Sequence, residues 1–263
     1  MTAHAFNAVT PLARPHYWSL GSDSQLLLAN DGTPAGAAAA QIAESLGALW
    51  RVKPCVISPE VEGGALDPAE ILRVAEDWRS ELIVLGLRPH AFLDRVFRDE
   101  TALPVMRHAS VPVFAVTPTL TSLPRSIAVA VDFSRASIAA ARVAMTLVQD
   151  GGSLLLVYVE PPLERLTGAE GFGVIYAQGV SAAFARLRQE LRGNRDVNIE
   201  TLVLNGRVAA ELLSFVERAD VDVLAVGSQR HSIAHRAFLG SVTTALARAA
   251  TRSLLVVPPG YRA

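Results

Sequence analysis

The chain has one cysteine, Cys55, one lysine, Lys53, and few aromatic residues, 6% of its 263 positions. A single thiol cannot close an intrachain disulfide. It reads instead as a buried, inert side chain. The lone lysine does not sit in a G-x-x-x-x-G-K-[ST] pattern, so a P-loop ATPase is excluded. With so few aromatic rings, aliphatic side chains and alanine must build the core. Charged residues are also scarce, 19% against 51% hydrophobic, which excludes a disordered chain. Yet no apolar run approaches the roughly 18 residues that a membrane span needs. The start, MTAHAFNAVTPLARPHYWSL, has no basic residues followed by an apolar stretch, so it is not read as a secretory signal. A soluble cytoplasmic protein is expected, with no membrane partner. A net charge of −1 argues against a nucleic-acid partner.

Catalytic signatures are missing too. GFG at 171–173 has no matching third glycine, so there is no dinucleotide fingerprint. No G-x-S-x-G elbow occurs. His231 and His235 are four apart, but no third ligand accompanies them, which makes a poor metal site. No nucleophile is paired with a base, so no catalytic residue is assigned and an enzyme is not expected.

What is present is a repeat. ELIVLGLRPHAFLDRVF (81–97) matches DVLAVGSQRHSIAHRAF (222–238), with Gly86 on Gly227, His90 on His231, Arg95 on Arg236 and Phe97 on Phe238. Each stretch leads through a short helical segment to an apolar strand ending in proline, SVPVFAVTP (110–118) and SLLVVPP (253–259). The beginnings also match. LLLANDGTPAGAAAAQIAESLGA (26–48) parallels IAVAVDFSRASIAAARVAMTLVQ (127–149), which sets Asp31 against Asp132. The first unit is 40 residues shorter between that aspartate and the glycine, about one helix and one strand. TPTLTSLPR (117–125) links the units. This gives an extension at 1–24, a shortened unit at 25–118, a linker at 119–124 and a full unit at 125–263. Residues 1–124 hold 9 basic against 13 acidic residues, a net of −4; residues 125–263 hold 15 against 12, a net of +3.

In the second unit the pattern predicts strands at 126–131, 153–159, 198–204, 222–227 and 253–258, with helices at 135–149, 175–192, 207–219 and 242–250. The strands read as fully apolar, which suits a parallel sheet covered on both faces. Alternating strands and helices make each unit a doubly wound, Rossmann-type α/β fold. The shorter unit is left with about four strands. The segment PPLERLTGAEGFG reads as a plain connection, with a flap over a site as the alternative.

In such a sheet a ligand binds beyond the carboxyl ends of the strands, where the winding reverses. That point would lie between 126–131, ending at Asp132, and 222–227, ending at Gly227. Gly240-Ser241 would open the last helix, whose free N–H groups suit a phosphate. Read without a ligand, Ser241 is only an N-cap and Asp132 only a turn residue.

VAVDFSRAS, LLLVYVEPP, DVLAVG and LGSVTTALARAATRSLLVVP together resemble a universal stress protein domain. The likeness covers nearly all of 125–260 and, more weakly, 25–118, so the chain resembles a tandem universal stress protein. ATP-binding members carry Gly, two residues, Gly, nine residues, then Gly-Ser or Gly-Thr. Gly227 and Gly240-Ser241 match the outer positions. The resemblance implies one site for ATP or another adenine nucleotide, accompanied by Mg2+, in the second unit of a stress-response or signalling module. It implies Asp132 at the adenine or ribose end and Ala130, Val131 and Val159 walling the base. It implies Gly227 beside the ribose and phosphates, and Gly240, Ser241, Val242 and Thr243 on the phosphates. It further implies self-association through the terminal strands, as an intrachain pseudo-dimer and a homodimer.

Arg230 replaces the middle glycine of the motif. It either grips phosphate oxygens, or fills their space and closes the site, or belongs to a solvated basic loop with His231, His235 and Arg236. In the first unit Pro89 stands at that position and Asp99-Glu100-Thr101 replaces Gly240-Ser241-Val242. Those carboxylates would repel a phosphate, so no nucleotide is expected there. The rival functions are an interaction protein of the same fold that binds no nucleotide, and a weak ATPase.

Overall fold

The computed structural model describes residues 25–59, 65–88, 101–160, 172–193, 195–228 and 239–261. The expected extension at 1–24 lies outside them, as does most of PPLERLTGAEGFG.

The first unit contributes β1 (Gln25–Ala29), α1 (Pro34–Trp50), β2 (Cys55–Ile57), α2 (Pro68–Asp77), β3 (Ser80–Gly86), α3 (Ala102–His108) and β4 (Val113–Val116). The second contributes β5 (Ser126–Ala130), α4 (Arg135–Leu147), β6 (Gly152–Glu160), α5 (Phe172–Leu191), β7 (Val197–Asn205), α6 (Val208–Arg218), β8 (Val223–Gly227), α7 (Ser241–Ala249) and β9 (Ser253–Val257). Helix α1 starts where Thr33 caps it, its hydroxyl accepting the Gly36 N–H, with Pro34 in the first turn. It stops at Arg51, which takes the left-handed conformation and returns its N–H to the Gly47 carbonyl. Ser134 caps α4 in the same way, accepting from the Ser137 N–H.

The nine strands among the described residues form one sheet in the order β2-β1-β3-β4-β9-β8-β5-β6-β7. Every neighbouring pair is parallel except β4–β9, which is antiparallel. The two doubly wound units therefore join edge to edge. Among the described residues the first unit has no counterparts of α5 and β7, the helix and strand missing from its length, and shows four strands.

Helices α1, α4 and α5 cover one face of the sheet, over a core of Leu26, Val84, Phe114, Val129, Leu156 and Leu255. Helices α2, α3, α6 and α7 cover the other, over Leu27, Ile83, Ala128, Val226 and Leu254. The central strands are buried on both faces, β4 and β9 completely. β7 departs from the expected continuous apolar run. It alternates between half-buried and exposed residues, with Asn198 and Glu200 outward. As an edge strand it has a hydrogen-bonded neighbour, β6, along one edge only, so charged and amide groups there also discourage edge-to-edge pairing.

The linker is tied down. Leu120 is buried, its N–H bonds the Thr117 carbonyl, and Leu123 packs against the first core. Cys55 is buried on β2, and burial raises its thiol pKa, as an inert side chain requires.

Candidate functional site

β5 lies between β6 and β8, so the winding reverses between β5 and β8, at the point expected from the pattern. The carboxyl end of β5 carries Ala130, Val131 and Asp132. The Val131 N–H continues the ladder to the Val157 carbonyl, 2.8 Å away. Alternation then separates the side chains. Ala130 and Val159 fall on the face covered by α6 and α7. Val131 turns into the opposite core, beside α4, with 4% exposure. Only two of the three residues expected to wall a base thus share a face.

Asp132 lies in a tight turn. Its Oδ1 accepts the Ser134 N–H at 3.0 Å, and its own N–H donates to Ser137 Oγ at 3.3 Å. Partial burial pushes the carboxyl pKa up. Hydrogen bonds from Ser134 and Ser137 and from the backbone outweigh it and hold the group below the ordinary value. The next residue, Phe133, has φ of 60°, an uncommon conformation for a residue with a side chain. Its counterpart Gly32 has φ of 73°, so both units make the same turn. The Phe133 ring offsets this cost by stacking on Tyr158 at 5.5 Å and meeting Phe184 edge-on at 5.2 Å.

Gly227 closes β8 against the first turn of α4. A Cβ there would lie 2.5 Å from the Ser137 nitrogen and still closer to the Ala136 carbonyl group. Gly86 meets α1 in the same manner, a Cβ falling 2.7 Å from the Gly36 nitrogen. The anchor glycine is thus required in both units by close helix–strand approach.

At α7 the N-cap is Gly240, with φ of −54° and ψ of 152°, a residue with no side chain to cap the helix. Ser241, read as an N-cap on the ligand-free view, is instead the first helical residue and is exposed. Val242 is half-buried and packs on the second core, and Thr243 is buried at 4% exposure. The first turn therefore presents backbone N–H groups and one exposed hydroxyl, the donor set an oxyanion takes at a helix start. Arg230, His231, His235 and Arg236 lie outside the described residues, as do Pro89, Asp99 and Glu100.

The first unit's equivalent point is closed by residues of its own turn and of the strand beside it. Asp31 accepts from the Thr33 N–H at 3.1 Å and the Thr33 hydroxyl at 2.7 Å. Arg88, two residues past Gly86, reaches across from β3 and places Nη2 3.4 Å from Asp31 Oδ2. This ion pair joins the ends of β1 and β3 over the first unit's own reversal point. Sequence reasoning missed Arg88, although an arginine so close to the anchor glycine was a usable signal. Because β4 and β9 are antiparallel, the two reversal points lie at opposite ends of the strands.

Among the described residues no three His, Cys, Asp or Glu side chains gather as a metal site, and no helix is long and apolar enough to cross a membrane.

The geometry defines a tandem, doubly wound α/β protein whose units share a strand–turn–helix frame. The universal stress protein family model matches residues 12–117 and again 124–258, so the chain belongs to the universal stress protein family and carries two copies of its domain. No curated protein matches the chain. Solved structures with a similar fold over most of the chain include two universal stress proteins. One is a universal stress protein from Archaeoglobus fulgidus DSM 4304, 15% identical, with 91% of this chain and 100% of that one covered at a TM-score of 0.60. The other is a putative universal stress protein from Pseudomonas aeruginosa UCBPP-PA14, 15% identical, with 89% and 93% covered at 0.60.

Proposed function

We propose that the chain is a non-catalytic stress-response or signalling module whose second unit binds one adenine nucleotide. The observation that carries this reading is the start of α7 at Gly240-Ser241, where the N-cap residue has no side chain to occupy the first N–H groups, in the unit where the motif glycines Gly227 and Gly240 are both kept. Phosphates would lie on the N–H groups of Ser241, Val242 and Thr243. The base would rest on the Ala130 and Val159 side, with the ribose near Asp132. Arg230 would reach the phosphates from the motif's middle position, and Mg2+ would accompany them. The first unit would bind none, since the Arg88–Asp31 pair already joins its strand ends. The family membership supports the reading. A cytoplasmic location and a further homodimer belong to the same proposal.

Calorimetric titration with ATP, ADP and AMP tests it. Binding of one nucleotide per chain is expected, with a melting temperature that rises with ligand concentration. No heat and no shift at millimolar nucleotide would refute it. Arg230→Gly separates the roles of that residue: weaker binding means it grips, and binding gained only in the variant means it blocks. The second reading, a nucleotide-free interaction protein, is favoured by the blocking outcome. Turnover of ATP above background in the titrated samples would revive the weak ATPase.

A further inference from the structure

The junction between the two units is built from strands that do not resemble each other where it matters. Val113 pairs with Val256, Phe114 with Leu255 and Ala115 with Leu254. Within each unit the anchor glycine pairs with the last strand at Val116 and at Val257. The repeat therefore equates Phe114 with Leu255, Thr117 with Pro258 and Pro112 with Ser253. A pseudo-twofold axis runs through the Phe114–Leu255 pair, both residues fully buried.

The two ends of the junction are not equivalent under that axis. At one end the Thr117 N–H donates to Ser253 Oγ at 3.0 Å, and the Thr117 hydroxyl lies 3.1 Å from the same atom. Thr119 adds a contact at 3.0 Å to the Thr117 hydroxyl. Thr117 is 1% exposed and Ser253 0%. At the other end the same positions hold Pro112 and Pro258.

We infer that β4 and β9 are matched to each other and mismatched to themselves, with Thr117 and Ser253 as the residues that select the partner. If β9 paired with β9 of a second copy in this register, each Ser253 hydroxyl would face a Pro258, which has no N–H. If β4 paired with β4, each Thr117 N–H would face a Pro112 ring, which has no acceptor side chain. Either pairing leaves two buried polar groups without partners. Each such group costs roughly tenfold in the pairing equilibrium, so each like-with-like pairing is disfavoured about a hundredfold relative to β4–β9. The centre adds to this, because it would hold two phenylalanines or two leucines in space fitted to one of each. The terminal strands therefore close the chain on itself. They are not a docking edge for a second copy or for a single-domain protein of the same fold. Any further dimer must use another surface.

The test traps the pairing in the full-length chain, in a Cys55→Ser background. Leu255 lies at the twofold centre, so Leu255→Cys can form an interchain disulfide only if β9 meets β9. Under mild oxidation Leu255→Cys alone should stay monomeric, and Phe114→Cys with Leu255→Cys should form an intrachain bond. Adding Thr117→Pro and Pro258→Thr to Leu255→Cys moves the polar partner from β4 to β9. Covalent dimer should then become the main product. Equal dimer yields with and without the added pair, or a monomeric triple variant that is folded, would overturn the inference. If the triple variant does not fold, the cycle between Ser253→Ala and Thr117→Pro decides. Ser253→Ala strands the Thr117 N–H, and Thr117→Pro removes it, so the double variant should recover roughly tenfold in the unfolding constant over additivity. Additive effects would reject the selecting role.

Discussion

Replacing Gly227 with alanine separates a packing role for this residue from a ligand role. The new Cβ would sit 2.5 Å from the Ser137 nitrogen, where ordinary contact begins near 3.4 Å. The obstacle is backbone, so no rotamer change relieves it. The start of α4 must retreat by most of an ångström, and that movement strains the Ser134 cap and the Asp132 turn. Overpacking of this kind costs about 1–3 kcal/mol, and a rigid obstacle belongs at the upper end. Alanine returns about 0.5–1 kcal/mol of backbone entropy. A net loss of about 2 kcal/mol remains, which lowers the melting temperature by roughly 4–8 °C at about 2–4 °C per kcal/mol. Gly86→Ala should lower it less, since its closest approach is 2.7 Å. The assay is thermal unfolding of the ligand-free protein followed by circular dichroism. A Gly227→Ala protein that melts with the parent but no longer binds nucleotide would refute the packing argument and give the glycine to the ligand alone.

Three further outcomes are expected. Asp132 is held below its ordinary pKa, so the stability it contributes is present above the ordinary carboxylate range and lost as pH falls through its lowered value. Asp132→Asn should remove that part of the acid unfolding limb in a pH titration of stability. Burial and then the nearby Glu81 charge push the Tyr261 pKa up from 10.0 to about 12. Its contribution is therefore complete below pH 10 and lost as pH rises through about 12, and Tyr261→Phe should flatten the alkaline limb over that window. Cys55, buried with a raised pKa, should react with a thiol reagent only at the rate of opening, and brisk labelling of the native chain would contradict its placement.

Much of the fold was legible because its signals are local. The expected helix at 135–149 is observed at Arg135–Leu147, and that at 242–250 at Ser241–Ala249. The strands expected at 222–227 and 253–258 are Val223–Gly227 and Ser253–Val257. β7 was the exception in character, because an apolar count does not reveal which strand ends at an edge. The site was legible as positions rather than as contacts. Asp132 and Gly227 do flank the reversal point, and Gly240 does open α7. The facing of Val131 depended on one step of alternation beyond the end of β5, and the packing role of Gly227 depended on a helix 91 residues earlier in the chain.

The sequence by itself determined the two related α/β units, their order of elements, the shortened first unit and an aliphatic core, since periodicity, caps and repeats act over a few turns of chain. Tertiary structure alone decided that the units fuse into one sheet through antiparallel β4 and β9, that their reversal points lie at opposite ends of the strands, that Arg88 reaches Asp31 and that Thr117 meets Ser253. Those last pairs are 57 and 136 residues apart. Their meeting is set by sheet register and helix placement, which minimise unpaired buried polar groups across the whole molecule rather than within any one segment.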